Sequence, residues 1–329
     1  MPGVLSQLFT APDLPESEWS IEGQDKVLNV FPDAGWAAFQ SSADDRDLDM
    51  AMIFRSSPYG AVSHSHANNN DFILHVGSKV MAMPSGYYAG YGSAHHAHWV
   101  WHTKSHNCVT LSDASQLMRS PDSMGKVVFP YEDSRIAFLC GVADASYKDR
   151  ADRGRRHIAY LKNHGCYVMI DEYVAKKGVE SSLQWNLHSW NPFDVDELNR
   201  TFSLTRDQST LQGTFLCQSN SFFTLTEGWD PPPMARKGRD EDWLQQYHLR
   251  FTPVGLERAR NLGVILVGCH PFRKAAKVVP GLDGEVETAT IGEDSVRVFP
   301  PGENYIAELV VDGVTYLMGD EGIMPAHGE

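Results

Sequence analysis

Cysteine is scarce in this chain. Five residues in 329, Cys108, Cys140, Cys166, Cys217 and Cys269, are scattered, odd in number and never in a CxxC pair. That argues against a disulfide framework and against a thiolate zinc site. Most fall in apolar, strand-like runs, which reads as buried free thiols. No apolar run approaches the roughly 18–20 residues a membrane-spanning helix needs, so no membrane partner is expected. The opening "MPGVLSQLFTAPDLPESEW" has neither a basic n-region nor a long apolar h-region and is not a signal peptide. As written the chain reads as cytoplasmic, and as periplasmic or secreted if it is cut from a longer precursor. Its Pro- and acid-rich lead-in reads like the middle of something longer. Excess positive charge is also missing. The net charge is −14, which makes nucleic acid a poor partner. Sustained 3.6-residue periodicity is scarce, so the chain has no room for a helical repeat domain.

What is present is β pattern. Runs such as "AMIFR", "DFILHV", "IAFLCGVA", "CYVMIDEYV", "LGVILVGC" and "YIAELVV" are short, rich in Val, Ile, Phe and Tyr, and punctuated by Gly, Pro, Asn and Asp. The expected fold is all-β, a large antiparallel β-sandwich over residues 1–255 followed by a small β-rich part over 256–329. The division is placed where "GLERARN" breaks the strand pattern. "DEDWLQQY" (Asp240–Tyr247) could form one turn of helix or a loop entering the next strand. The Pro-rich "GWDPPPMARKGRDED" before it is a lid or a plain connection.

Charge and imidazole are unevenly placed. Between Arg55 and Cys108 the only acid is Asp71, while eight of the fourteen histidines lie there: His64, His66, His75, His95, His96, His98, His102 and His106. A locally positive patch in an acidic protein suits an anionic ligand. In "SHSHANNNDFILHVG", His64 and His66 would project together if the segment were a strand. Two such rings can ligate a metal, pair a catalytic ring with a ligand ring, or be polar residues on an edge. The amides of "NNND" can hydrogen-bond a carboxylate or simply make a turn. "PSGYYAGYGS" offers Tyr87, Tyr88 and Tyr91 for stacking on sugar rings or for acid–base work, or as half-buried turn residues. Strand alternation would put Trp99 and Trp101 on one face.

Taken together, "SPYGAVSHSHANNNDFILHVGSKVMAMPSGYYAGYGSAHHAHWVWHTKSHNCVTL" resembles the β-sandwich part of heparinase II/III-like polysaccharide lyases, including the alginate and oligoalginate lyases. The shared marks are the HxHA segment (His64–Ala67), Asn69, the strand Phe72–Val76, the loop Ser85–His96 and the "TKSHN" segment (Thr103–Asn107). "RRHIAYL", "YVMIDEY" and "WNLHSW" extend the likeness to Trp190. The resemblance implies β-elimination on a uronate-containing anionic polysaccharide. It places His64, Tyr87 and Tyr91 in catalytic roles, and Asn69, Tyr88, Arg55, Lys104 and His96 against substrate. It makes His66 and His106 zinc ligands. The aspartate that would complete the zinc site is replaced by Pro84, so the metal would need another group. The resemblance further implies an (α/α) toroid, present elsewhere as a domain or subunit, and is compatible with a homodimer. Two rivals stand beside it. A cupin-like metal enzyme would use His64, His66 and Asp71, but its second motif fails after Pro84-Ser85-Gly86. A non-catalytic module would bind acidic glycans with the same surface.

Overall fold

The computed structural model describes residues 26–41, 49–217, 219–235, 243–271 and 273–326. Its strands, in chain order, are β1 (Leu28–Phe31), β2 (Trp36–Gln40), β3 (Met50–Arg55), β4 (Asp71–Val76), β5 (Lys79–Ala82) and β6 (Val109–Leu111). Next come β7 (Lys126–Glu132), β8 (Ile136–Val142), β9 (Ala151–Leu161), β10 (Cys166–Ala175), β11 (Leu183–Ser189) and β12 (Asp194–Asp196). They are followed by β13 (Thr201–Arg206), β14 (Ser209–Leu216), β15 (Ser221–Glu227), β16 (Tyr247–Pro253) and β17 (Ala259–Cys269). The last six are β18 (Val278–Asp283), β19 (Val286–Ile291), β20 (Asp294–Val298), β21 (Ala307–Val311), β22 (Val314–Gly319) and β23 (Gly322–Pro325). All pairings between them are antiparallel, and the all-β sandwich expected from the pattern is what forms.

An eight-stranded sheet, ordered β12-β13-β14-β17-β10-β9-β8-β7, is the middle layer. Its strands read as near-continuous apolar runs because both faces are covered. In β8, Ala137 and Leu139 join the core under the meander β1–β5 and the four-stranded sheet β15-β16-β11-β6. Ile136, Phe138 and Cys140 join a second core under the six-stranded sheet β18–β23. The same alternation divides β17: Leu262, Val264 and Leu266 point one way, Ile265 and Val267 the other.

The expected division near residue 255 does not coincide with a change of sheet. The segment Gly255–Arg258 turns from β16 into β17, and β17 pairs with both β14 and β10 in the middle of the large sheet. An apolar strand buried on both faces needs two hydrogen-bonded neighbours, so "LGVILVGC" is drawn to the centre. The C-terminal sheet starts only at Val278. Of "DEDWLQQY", Asp240–Asp242 lie outside the described residues, and Trp243–Gln246 is irregular chain leading into β16.

Two buried polar pairs join the layers. Arg156 on β9 is fully buried, and its Nε and Nη2 grip both oxygens of Asp171 on β10 at 2.7 and 2.9 Å. Its Nη1 donates to the carbonyls of Asn70 and Asn107 at 2.7 and 2.6 Å. On the opposite face of the sheet Glu172 takes Arg153 at 2.6 Å and lies 3.5 Å from His157, while Arg153 also reaches Asp320 of the six-stranded layer. Burial alone would lower the His157 pKa, but Cys140 and Glu172 beside it raise it to about 10. Burial alone would raise Glu172, but His157 and Arg153 hold it down to about 2.

Two outcomes are expected. Arg156→Met strands Asp171 as an uncompensated buried charge and should lower the unfolding free energy by about 3–5 kcal/mol, read as a drop in denaturant midpoint. The double variant Arg156→Met, Asp171→Leu should lose less than the single one. A single variant as stable as the parent would show that the pair does not hold the layers. His157 contributes stability fully below its ordinary value of 6.5 and loses it as pH rises through about 10. Glu172 contributes fully above its ordinary value of 4.5 and loses it as pH falls towards 2. The midpoint-versus-pH curve of His157→Gln should therefore lack the alkaline limb of the parent.

Candidate active site

The histidine segment lies at one end of the sandwich, on three connections. The first, residues 56–70, joins β3 to β4. The second, residues 83–108, joins β5 to β6. The third, residues 112–125, joins β6 to β7. Hydrogen bonds of the backbone and of the Thr103 hydroxyl tie them together. Ala67 N donates to Trp101 O, Thr103 Oγ1 donates to Ala67 O, and Gln116 N donates to Thr103 Oγ1. His64 and His66 are therefore not on a strand. They sit in an irregular turn after Ser63, whose φ is +55°. The three asparagines leave too little strand propensity there, and Asn70 takes φ +65°, a conformation that Asn tolerates.

The segment expected to alternate as a strand, 98–104, is helical instead. His96–Val100 forms a π turn, closed by Trp101 N donating to His96 O at 3.1 Å. Such turns are uncommon and recur at functional sites. The turn sends the two tryptophans to different sides. Trp101 lies 4.4 Å from His96 and 5.5 Å from Tyr91, ring centre to ring centre. Trp99 packs on His248 at 5.2 Å and carries Lys104 over its face at 5.0 Å.

Six of the expected site residues come together. His64 is exposed, with Tyr91 at 4.9 Å and Tyr88 at 6.2 Å. Behind them His96 lies 5.4 Å from Tyr88 and 5.3 Å from Tyr91. His66 is 6.0 Å from His96 and 5.3 Å from His106. The layering is clear: exposed phenols and one imidazole in front, three imidazoles behind. His96 is buried, its Nδ1 accepts from Gly92 N–H, and its Nε2 has no partner. Burial first, and then His106 and His96, push His66 down to about 3, so its ring is neutral near pH 7.

Four expected contributors sit elsewhere. Tyr87 points away from His64: its ring stacks on Trp243 at 4.5 Å, its hydroxyl donates to Leu244 O, and Trp190 Nε1 donates to that hydroxyl. Asn69 is inside the protein with its amide fully used, accepting from Ser57 N–H and donating to Ser123 O and Ser146 Oγ. Lys104 stays with Trp99. Arg55 is half-buried, and its Nη1 donates to the side chain and carbonyl of Asn68, ordering the turn from behind. The Pro-rich connection packs on the Tyr87 side. Trp229 lies 5.5 Å from that ring, and His95 bridges the Tyr87 N–H to Pro231 O.

Zinc does not fit the residues present. Both ring nitrogens of His106 face acceptors, Nδ1 the Asp71 carboxylate at 2.8 Å and Nε2 the Val100 carbonyl at 3.2 Å. Pro84 supplies no donor in place of the expected aspartate. Among the described residues no three His, Cys, Asp or Glu side chains converge closely enough to hold a metal ion. Asp71 instead acts as a buried anchor, accepting also from Asn107 N–H and from Asn68 Nδ2. Burial would raise its pKa, but His106 and these donors keep it below the usual carboxylate range. Its signal in the sequence was its being the lone acid of the window. The sequence reading passed over Arg119, which lies over Trp101 at 3.9 Å. It sits on a connection with no periodic pattern, beyond the histidine-rich window.

The depressed His66 pKa has a visible consequence. Its ring carbon resonances should not titrate between pH 5 and 8 in an NMR series. The unfolded chain takes up a proton near 6.5 while the folded one resists to about 3, so stability from this group is full above 6.5 and drains away as pH falls. A His66 midpoint near 6.5 would contradict the packing described.

No curated protein matches the chain in sequence. Among solved structures, the heparan sulfate lyase HepC from Pedobacter heparinus superposes with a TM-score of 0.65 at 15% identity, over 93% of this chain and 44% of its own. A heparinase III gene product superposes with a TM-score of 0.65 at 18% identity, over 92% of this chain and 42% of its own. Another heparinase III gives a TM-score of 0.59 at 13% identity, over 88% and 42%. At such identity the likeness is one of fold, and the chain spans less than half the length of these proteins. The model of the heparinase II/III-like C-terminal domain matches residues 23–260, most of the chain. With the sandwich, the ring cluster and that match in hand, the chain belongs to the heparinase II/III-like family and carries its C-terminal domain.

Proposed function

We propose that this chain is the β-sandwich portion of a lyase that cleaves a uronate-containing anionic polysaccharide by β-elimination. The observation that carries the reading is the exposed group His64, Tyr88 and Tyr91, in a segment whose only acid, Asp71, is buried and engaged by His106. Elimination needs a neutralised carboxylate, a base for the C5 proton and an acid for the O4 leaving group. His64 faces the carboxylate and draws charge from it. Tyr91, beside it, is placed to move the proton: the C5–H pair becomes the C4–C5 double bond, the C4–O4 bond breaks and O4 takes a proton. Tyr88 offers a ring for a sugar to stack on. His96 and His66 support the front rings through packing. Tyr87 belongs to the neighbouring aromatic wall rather than to the reacting centre.

The relatives of known structure include heparan sulfate lyases, and a sulfated or unsulfated uronate polymer of that general class is the proposed substrate. The chain being less than half as long as these relatives supports a second, helical portion closing over the exposed rim. Tyr59, Val62, Tyr88, Tyr91 and Met118 would lie under it, each 40% or more exposed.

His64→Ala, made in the complete assembly, should reduce formation of unsaturated uronate by about 10²-fold or more with the thermal midpoint unchanged, followed by ultraviolet absorbance. An active, well-folded His64→Ala would remove His64 from the chemistry, and a complete parent assembly that forms no unsaturated uronate would sink the lyase reading and leave a glycan-binding module.

A further inference from the structure

Arg119 projects from the connection between β6 and β7. It is exposed and makes no hydrogen bond or ion pair among the described residues. The acid nearest in sequence, Asp122, is taken by Lys148 at 2.7 Å. Yet Arg119 is not adrift. Its guanidinium lies 3.9 Å over the Trp101 ring, which in turn is 5.5 Å from Tyr91 and 4.4 Å from His96. Stacking of this kind holds the planar fork while leaving its edge donors free.

The backbone under it is set with equal care. Arg119 has φ +51°, a conformation that non-glycine residues rarely take and that persists only when surroundings impose it. The imposing contacts come from the connection that carries His64. Ala61 N donates to Ser120 O at 2.9 Å, and Gly60 lies so close that a Cβ there would fall 2.7 Å from Pro121 O. Arg119 and His64 are thus fixed to one another through a few residues of chain. Beside them the buried His96 keeps an unpartnered Nε2 among Tyr88, Tyr91 and His66. Among the described residues, a guanidinium without a hydrogen bond and a ring nitrogen without a partner border the same rings.

We propose that Arg119 is the oxyanion receptor of this site. Its guanidinium binds a carboxylate or sulfate of the acidic sugar next to the one held at His64, and so selects anionic over neutral glycans. The inference rests on the reading of the ring cluster as a uronate-polymer site. Arg119 determines binding and specificity, not the proton transfer.

The test is titration calorimetry on the chain as it stands, with three probes of equal length. One is a heparin-derived hexasaccharide carrying carboxylates and sulfates, one an oligoguluronate carrying carboxylates alone, and one the neutral cellohexaose. Arg119→Gln should weaken binding of anionic probe by roughly tenfold or more, since a charge-assisted fork is lost. Arg119→Lys should recover only part, because it keeps the charge without the fork. Loss on both anionic probes assigns the carboxylate as ligand, and loss on heparin alone assigns the sulfate. Equal affinity of Arg119→Gln and parent for both anionic probes overturns the receptor while leaving the lyase reading to the His64→Ala assay. An equal loss on cellohexaose also overturns it, by showing that the variant only disturbs Trp101. A parent chain that binds neither anionic probe also overturns the receptor, while the lyase reading stands or falls by the assay on the complete assembly.

Discussion

The site hangs on one buried guanidinium. Arg156 has no water to satisfy it, so its donors must be used inside the protein, and they are used on Asp171 and on the carbonyls of Asn70 and Asn107. Those two carbonyls flank the chain positions that matter. Asn70 precedes Asp71, and Asn107 follows His106. Between them runs the Asp71–His106 bond at 2.8 Å, reinforced by Asn107 N–H donating to Asp71 at 3.0 Å. A single side chain on the rigid middle sheet therefore sets the separation of the two connections that carry the imidazoles. A site built on loops gains the precision of a sheet in this way.

The fold was legible because its signal is local and repeated. Runs such as "IAFLC" and "YVMI" bury both faces, and nothing but a stacked sheet arrangement accommodates many of them. What period could not tell was which sheet each strand joins. "GLERARN" breaks the pattern and looks like a boundary, but it is a turn between β16 and β17, and β17 is central. Sheet membership depends on partners far along the chain, and period is blind to those.

The site was legible by composition and much less by placement. The richness in histidine, the tyrosine loop and the lone acid singled out segments that the fold brings together, and six of the expected side chains do meet. Strand logic then misled. It put His64 and His66 on a strand and Trp99 beside Trp101, whereas a turn and a π turn decide both. Asn69 and Tyr87 show the same limit. An amide and a phenol are equally good as ligands for sugar or for the protein's own buried groups, and here they meet Ser57, Ser123 and Ser146, and Leu244, respectively. Arg119 left no mark at all, because a single arginine in an aperiodic connection carries no pattern.

Electrostatics explains why the rear of the cluster is built from imidazole rather than from lysine or carboxylate. A lysine at the position of His66 would have to be desolvated as a cation, and a carboxylate would repel an anionic polymer from behind. A neutral ring avoids both costs, and burial keeps it neutral, since His66 is pushed down to about 3. The only acid is consumed by His106. The edge of the site then carries one cation, Arg119, stacked on Trp101. On the proposed reading, a face that attracts an acidic chain at the rim and offers it phenol and imidazole inside would discriminate by charge first and by proton chemistry second.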